Sequence, residues 1–218
     1  MVVNTTGERI HRVAVELFAR KGFHGVGIRE LAQHAQLSSA SLYHYMGTKE
    51  ALLAEIMHDC LRRLVSAGRE AVASVDDPTE RLGRLVALHV LAHAERAQET
   101  AVVDNEVNSL SPALRRSVVA ARDSYERLWA DAIADGRHSG AFRADPDGVA
   151  RRGLLEMCSG VARWYSSTGP MPLDDLAREY ALLALRALGP TEPAAPDVDV
   201  CREIVLTTWG AVGSADFA

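Results

Sequence analysis

The 218-residue sequence has three cysteines, two lysines among 24 basic residues and almost no strand-like alternation, and each scarcity removes a class of protein. Cys60, Cys158 and Cys201 lie far apart without a C-x-x-C pair, which excludes a disulfide framework and a zinc finger and fits a reducing cytoplasm. No run of about 18 apolar residues occurs, and the stretch from Met1 to Arg12 already carries Glu8, Arg9 and Arg12, so neither a membrane span nor a secretory leader is expected. G-x-S-x-G, a glycine-rich phosphate loop and a repeated Glu-x-x-His pair are all missing. The sequence therefore lacks the parts of an enzyme, and neither a cofactor nor a metal is expected.

What is present is helical periodicity. Glu8 to Arg20 sets Ile10, Val13, Ala14, Leu17 and Phe18 on one face, with Thr5 or Thr6 as N-cap and Gly22 as a stop. Ile28 to His34, Ser39 to Tyr45 and a long run from Lys49 to Ala73 follow, the last capped by Thr48. Further helices are expected over Pro78 to Glu95, Thr100 to Leu110, Pro112 to Asp135, Pro146 to Ser166 and Pro172 to Leu188, most with proline near the first turn. Pro190, Pro193 and Pro196 read as a linker, and Val200 to Val212 fits either a short helix or a strand. The expected fold is all-α. It divides into a three-helix helix-turn-helix domain over 1–50, a six-helix ligand-binding and dimerisation bundle over 51–189, and a linker and tail over 190–218.

Charge singles out the first of these. The whole chain carries −5, whereas residues 1–50 hold six basic and four acidic side chains, so the amino-terminal end is where an anionic partner belongs. A helix-turn-helix needs apolar residues at fixed spacing and a small residue where the helices touch. Counting from Ile28, the buried positions fall on Leu31, Ala32, Ala35, Leu37, Leu42 and Tyr45, with Ala32 at the close contact. Gln36 occupies the turn position that favours φ > 0, at a cost of about 1 kcal/mol. The second helix begins with Ser39, Ala40 and Ser41, small enough to approach base edges. Tyr43, His44 and Tyr45 offer donors to flanking phosphates, and the alternative is that the tyrosines pack against the first helix. Lys49, at a helix N-terminus, has the charge and dipole of a phosphate clamp.

The stretch from Ile10 to Leu53, centred on ARKGFHGVGIRELAQHAQLSSASLYHYMGTKEALL, resembles the DNA-binding domain of TetR-family transcriptional regulators. Leu17-Phe18 with Gly22, Leu31-Ala32, Leu42-Tyr43 and Thr48-Lys49-Glu50 with Leu52 and Leu53 carry the likeness. Gly27, Gln36 and Met46 depart from the family's usual Thr, Gly and Phe. The resemblance implies DNA contacts from Gly27, Ser38, Ser39, Ala40, Ser41, Tyr43, His44, Tyr45, Thr48 and Lys49. It also implies a homodimer on a palindromic double-stranded operator, with half-sites roughly 34 to 36 Å apart, and a repressor released by a small, mainly apolar effector.

The carboxy-terminal bundle offers candidates for that effector. His89 and His93 share a helix face, at a spacing open to a metal, to a hydrogen-bonded pair or to ligand lining. Asn105 reads as helix surface or an inter-helix contact, with ligand lining as its other role; Tyr125 and Trp129 read as core and as pocket wall. Met157, Arg163 and Trp164 complete the candidate set, with Arg163 available to an anion. Ser159, Gly160 and Ala162 suit close helix approach at a dimer seam, together with Leu173, Leu176, Tyr180, Leu183 and Leu185. The Arg-Trp-Tyr then Gly-Pro pattern resembles a TetR subgroup of lipid and steroid catabolism that senses acyl-CoA thioesters, and only Arg163 carries over as a charged contact. The competing reading is a ligand- or metal-binding helical bundle without DNA activity.

Overall fold

The computed structural model describes residues 5–143, 148–189 and 193–210, and among them every regular element is a helix. Contacts gather the chain into two compact units, residues 1–62 with 98–122 and residues 63–97 with 123–218. The expected boundary at residue 50 falls inside a continuous helix.

In the first unit α1 (Thr6–Lys21) starts at Thr5, whose hydroxyl accepts from the Glu8 amide while the Glu8 carboxylate accepts from the Thr5 amide. It buries Ile10, Ala14, Val15, Leu17 and Phe18, one register off the expected stripe in that Val15 replaces Val13. Next come α2 (Ile28–His34), α3 (Ser39–Met46) and α4 (Lys49–Val72), which continues into the second unit. Residues 98–122 fold here too, although they follow the second unit's first long helix in the chain. They hold the rest of α6 (Ala97–Asn105), a 3-10 turn at Val107–Ser109 in place of the expected continuous helix, and the start of α7 (Pro112–His138). The Glu50 carboxylate accepts from the Ser111 amide at 2.6 Å, which lowers its pKa and ties the start of α4 to the start of α7.

The second unit is organised around α5 (Pro78–Glu95). Asp77 caps it by accepting from the Thr79 and Glu80 amides, and Pro78 fills the first turn. From Leu85 to Ala94 every residue is buried, so this helix is a core element rather than an amphipathic surface helix. Packed against it are α8 (Val149–Ser159), α9 (Val161–Trp164), α10 (Leu173–Leu188) and α11 (Val198–Trp209). The expected single helix from Pro146 to Ser166 divides at Gly160, and its first residues, with Pro190, lie outside the described residues. The segment read as linker and tail contains α11, capped by Asp197 and burying Val198, Cys201, Ile204 and Val205. Gly68 lets α4 and α7 approach closely: a Cβ there would meet Leu128 Cδ1 at 2.8 Å.

Candidate nucleic-acid interface and buried polar cluster

The turn between α2 and α3 is built around Gln36, whose φ of 55° is the left-handed conformation expected at that position. The Gln36 amide donates to the Gln33 carbonyl at 3.1 Å and the Leu37 amide to the Ala32 carbonyl at 2.9 Å, closing the end of α2 as a Schellman motif. Gly27 precedes α2 without a side-chain cap, as the missing Thr hydroxyl requires. Ser38 caps α3, accepting from the Ser41 amide at 3.1 Å, and its hydroxyl also bonds the Ser41 hydroxyl.

Leu42 and Met46 face inward from α3, whereas Ala40, Ser41, Tyr43, His44 and Tyr45 are exposed and Ser39 is half-buried. The expected buried position at Tyr45 is therefore corrected. The buried stripe runs from Leu42 to Met46, four residues on, and this leaves Tyr45 56% exposed and Tyr43 48% exposed. The reading that these tyrosines pack against the preceding helix is set aside for the same reason.

Thr48 is exposed and its hydroxyl accepts from the Ala51 amide at 2.9 Å, the capping role expected of it. Lys49 is more committed than its sequence position suggests. Its ammonium donates to the Phe23 carbonyl at 2.8 Å and the Val26 carbonyl at 2.7 Å, and sits 4.1 Å from the centre of the Phe23 ring. Partial burial pushes its pKa down. The expectation of a simple phosphate clamp is corrected to this extent: two of its three donors hold the loop between α1 and α2, leaving one for an outside acceptor.

In the second unit α5 and α7 bring four candidates together. His89 and His93 stack at 3.7 Å between ring centres, 15° from parallel, and both are buried. His89 Nδ1 pairs with the Tyr125 hydroxyl at 3.1 Å, and His89 Nε2 with the Ser159 hydroxyl at 3.1 Å. His93 Nδ1 donates to the His89 carbonyl at 2.9 Å. Trp129 meets His89 edge-on at 5.5 Å, fully buried, and its Nε1 has no hydrogen-bond partner among the described residues. Burial, and secondarily the neighbouring His93, hold the His89 imidazole well below its ordinary pKa of 6.5, so it is neutral at pH 7. Both nitrogens of His89 face hydroxyls, and the described residues contain no cluster of three or more His, Cys, Asp or Glu arranged for a metal.

The remaining candidates lie elsewhere. Asn105 is exposed and belongs to the first unit. Met157 is half-buried, and Arg163 and Trp164 are exposed, Trp164 by 56%. Trp164 stacks on Tyr180 at 6.4 Å, near the surface rather than in the histidine cluster. A cleft of about 170 Å³ is lined by Ala130, Ile133, Ala134, Arg137, Gly148 and Arg151, none of them expected. Ser159 is the polar partner that sequence spacing does not reveal, since it lies 70 residues from His89. Burial pushes the Cys158 and Cys201 thiols up to about 12, which leaves them unreactive.

Comparison with known proteins fits both units. Residues 10–56 match the bacterial regulatory proteins, tetR family, and residues 75–188 match the Tetracyclin repressor-like, C-terminal domain. The HTH-type transcriptional repressor KstR2 of Rhodococcus jostii (strain RHA1) is 30% identical over 178 residues, 81% of this chain and 87% of the relative. Among solved structures, the TetR family transcriptional regulator PfmR from Thermus thermophilus aligns with a TM-score of 0.73 at 36% identity, covering 82% of this chain and 97% of its own. The ketosteroid transcriptional regulator KstR2 of Mycobacterium tuberculosis aligns with a TM-score of 0.78 at 25% identity, covering 86% and 97%.

Proposed function

Since the chain belongs to the TetR family of bacterial transcriptional regulators, we propose that it represses genes from a palindromic operator as a homodimer and releases DNA when a small, mainly apolar effector enters the second unit. It acts in the cytoplasm, where its DNA partner is, and as a regulator rather than an enzyme. No helix of the described residues is long and apolar enough to cross a membrane.

One observation carries the DNA half: α3 turns Leu42 and Met46 inward and presents Ala40, Ser41, Tyr43, His44 and Tyr45 outward, with small residues at its start. Ser39, Ala40 and Ser41 read base edges in the major groove, while Tyr43, His44, Tyr45, Ser38, Thr48 and the backbone at Gly27 hold phosphates. Lys49 contributes its remaining N–H and stiffens the loop before α2. Trp164, Met171 and Leu183 are large apolar side chains left exposed on one chain, and a second copy covers them through α8, α9 and α10.

For the effector, His89, His93, Tyr125 and Trp129 provide aromatic walls and a few polar groups, as a small-ligand site requires. Met157 borders this region, and Arg163 is available at the surface to the anionic part of an extended ligand. An acyl-CoA thioester combines an apolar tail with such an anionic part, and a ketosteroid regulator stands among the structural relatives. Residues 98–122 fold with the DNA-binding helices, so an effector that displaces the end of α5 acts on the segment next to them in the chain. A differential affinity of about 1 to 3 kcal/mol between two conformations is enough for regulation. No observation favours a helical bundle without DNA activity.

The test is an electrophoretic shift with the DNA upstream of the gene itself. A saturable, salt-sensitive shift at the stoichiometry of a dimer per half-site pair is expected, reversed by acyl-CoA or steroid-like compounds. Binding no tighter than to random DNA would reject the repressor reading.

A further inference from the structure

Among the described residues of the second unit, the buried polar or charged side chains are those of His89 and His93. A carbonyl only accepts, so His93 Nδ1 carries the proton donated to the His89 backbone. His89 is flanked by two hydroxyls, Tyr125 and Ser159, and hydroxyls donate or accept as needed, so His89 is satisfied in either tautomer. What remains is the Trp129 Nε1–H, fully buried and without a partner among the described residues. An indole N–H can only donate, and a buried donor without an acceptor is costly. The Trp129 indole N–H is therefore a buried donor without an acceptor.

Among the described residues, no lysine or arginine is buried with these groups. A carboxylate or phosphate moved into their midst would lose its hydration with no countercharge to replace it. Resting on the effector reading above, we propose that the part of the effector that enters the bundle is an uncharged carbonyl group on an apolar body, a ketone, ester, lactone or thioester, whose oxygen accepts from Trp129 Nε1–H. A neutral His89 needs a proton from one of the Tyr125 and Ser159 hydroxyls at its unprotonated nitrogen, so the indole N–H is the donor that the carbonyl oxygen meets. The cluster is closed to solvent in this structure, Trp129 being 0% and His89 3% exposed. The carbonyl compound binds an opened arrangement and draws the population toward it, which makes the cluster both selector and switch.

The test uses the full chain labelled with nitrogen-15. Its three tryptophans give three indole signals, and Trp164→Phe and Trp209→Phe identify that of Trp129 by elimination without disturbing the cluster. The probes are 2-nonanone and nonanoate at pH 7.5, matched in length and differing in head-group charge, with a lactone and an uncharged steroid ketone as further carbonyl compounds. At least one uncharged carbonyl compound is expected to move the Trp129 signal saturably and downfield, while nonanoate leaves it in place. Nonanoate moving the signal as far as the ketone would overturn the proposal, and so would a fixed signal with all the uncharged compounds up to their solubility. A compound that releases operator DNA while the Trp129 signal stays fixed would also overturn it and leave the effector reading standing. Movement of the signal by a ketone without any release of DNA would instead keep the carbonyl site and reject the effector reading.

Discussion

Two helices of this chain carry histidine beside aromatic groups, and they treat it in opposite ways. On α3, His44 and Tyr45 lie edge to face at 5.7 Å with their polar tips in solvent. Around α5, His89 and His93 stack face to face inside the core, and the polar atoms of His89 meet Tyr125 and Ser159. Residue type alone therefore says little about role. An exposed tip keeps its hydrogen-bonding capacity for an outside partner such as a phosphate, while a buried one must find its partners within the protein or in something the protein binds.

The comparison breaks most readily at Trp129. Trp129→Ala empties a fully buried site and should cost about 3 to 5 kcal/mol of stability by urea unfolding; a loss below about 1 kcal/mol would mean that the second unit is not tightly packed there. Leu183→Asp acts on an exposed apolar position instead. It should leave the fold of one chain intact and raise the dimer dissociation constant roughly a hundredfold, as sedimentation would record.

Lys49→Ala sharpens the first unit's side. It strands the Phe23 and Val26 carbonyls and should cost about 1.5 to 3 kcal/mol in thermal or urea unfolding, because the lost hydrogen bonds involve a charged donor. DNA affinity should fall with it. Unchanged stability combined with a reduced salt slope would return Lys49 to a purely phosphate-binding role.

Acid tests the buried histidine setting. The folded-state pKa of His89 is depressed below the unfolded value of 6.5, so below that pH the unfolded chain binds more protons than the folded one. Stability is fully present above pH 6.5 and is lost as pH falls toward the folded pKa, by up to about 1.4 kcal/mol per pH unit from this one group. His89→Phe should flatten that slope in urea unfolding between about pH 7 and 5. The smallest effect on stability is expected of Tyr43→Phe, within about 0.5 kcal/mol, with weaker binding to all DNA sequences in a filter-binding titration.

Local signals are legible in the sequence wherever a single turn or cap decides the structure. Thr5, Thr48 and the left-handed Gln36 follow from rules spanning at most a few residues, and so do the ends of α1 and α2. Tyr45 escapes such rules because an i+3 position and an i+4 position compete for the same buried groove, and only packing chooses Met46. The break at Gly160 is hidden because apolar periodicity continues through it into Val161, which is buried. In the candidate site, His89, Tyr125 and Trp129 are legible as a set, but Ser159 is not, since a partner 70 residues away leaves no mark on local spacing. Arg163 and Trp164 suggest a pocket by composition, yet both face outward on one chain.

The helix α11 carries a further consequence. It lies beyond the last residue matched to the family's carboxy-terminal domain, residue 188, yet it is fastened along α5 from end to end. Pro196 packs within 3.2 Å of where a Cβ on Gly83 would stand, the Cys201 thiol donates to the Arg84 carbonyl, Arg202 joins Glu95 to Asp174, and Arg96 caps the last turn at Trp209 and Gly210. Kinship and folding thus have different borders here. A chain ended at Gly189 would retain both stretches matched by the family models while stripping one flank from its central helix, so recombination with a relative at that border would exchange a family domain but divide a cooperative unit.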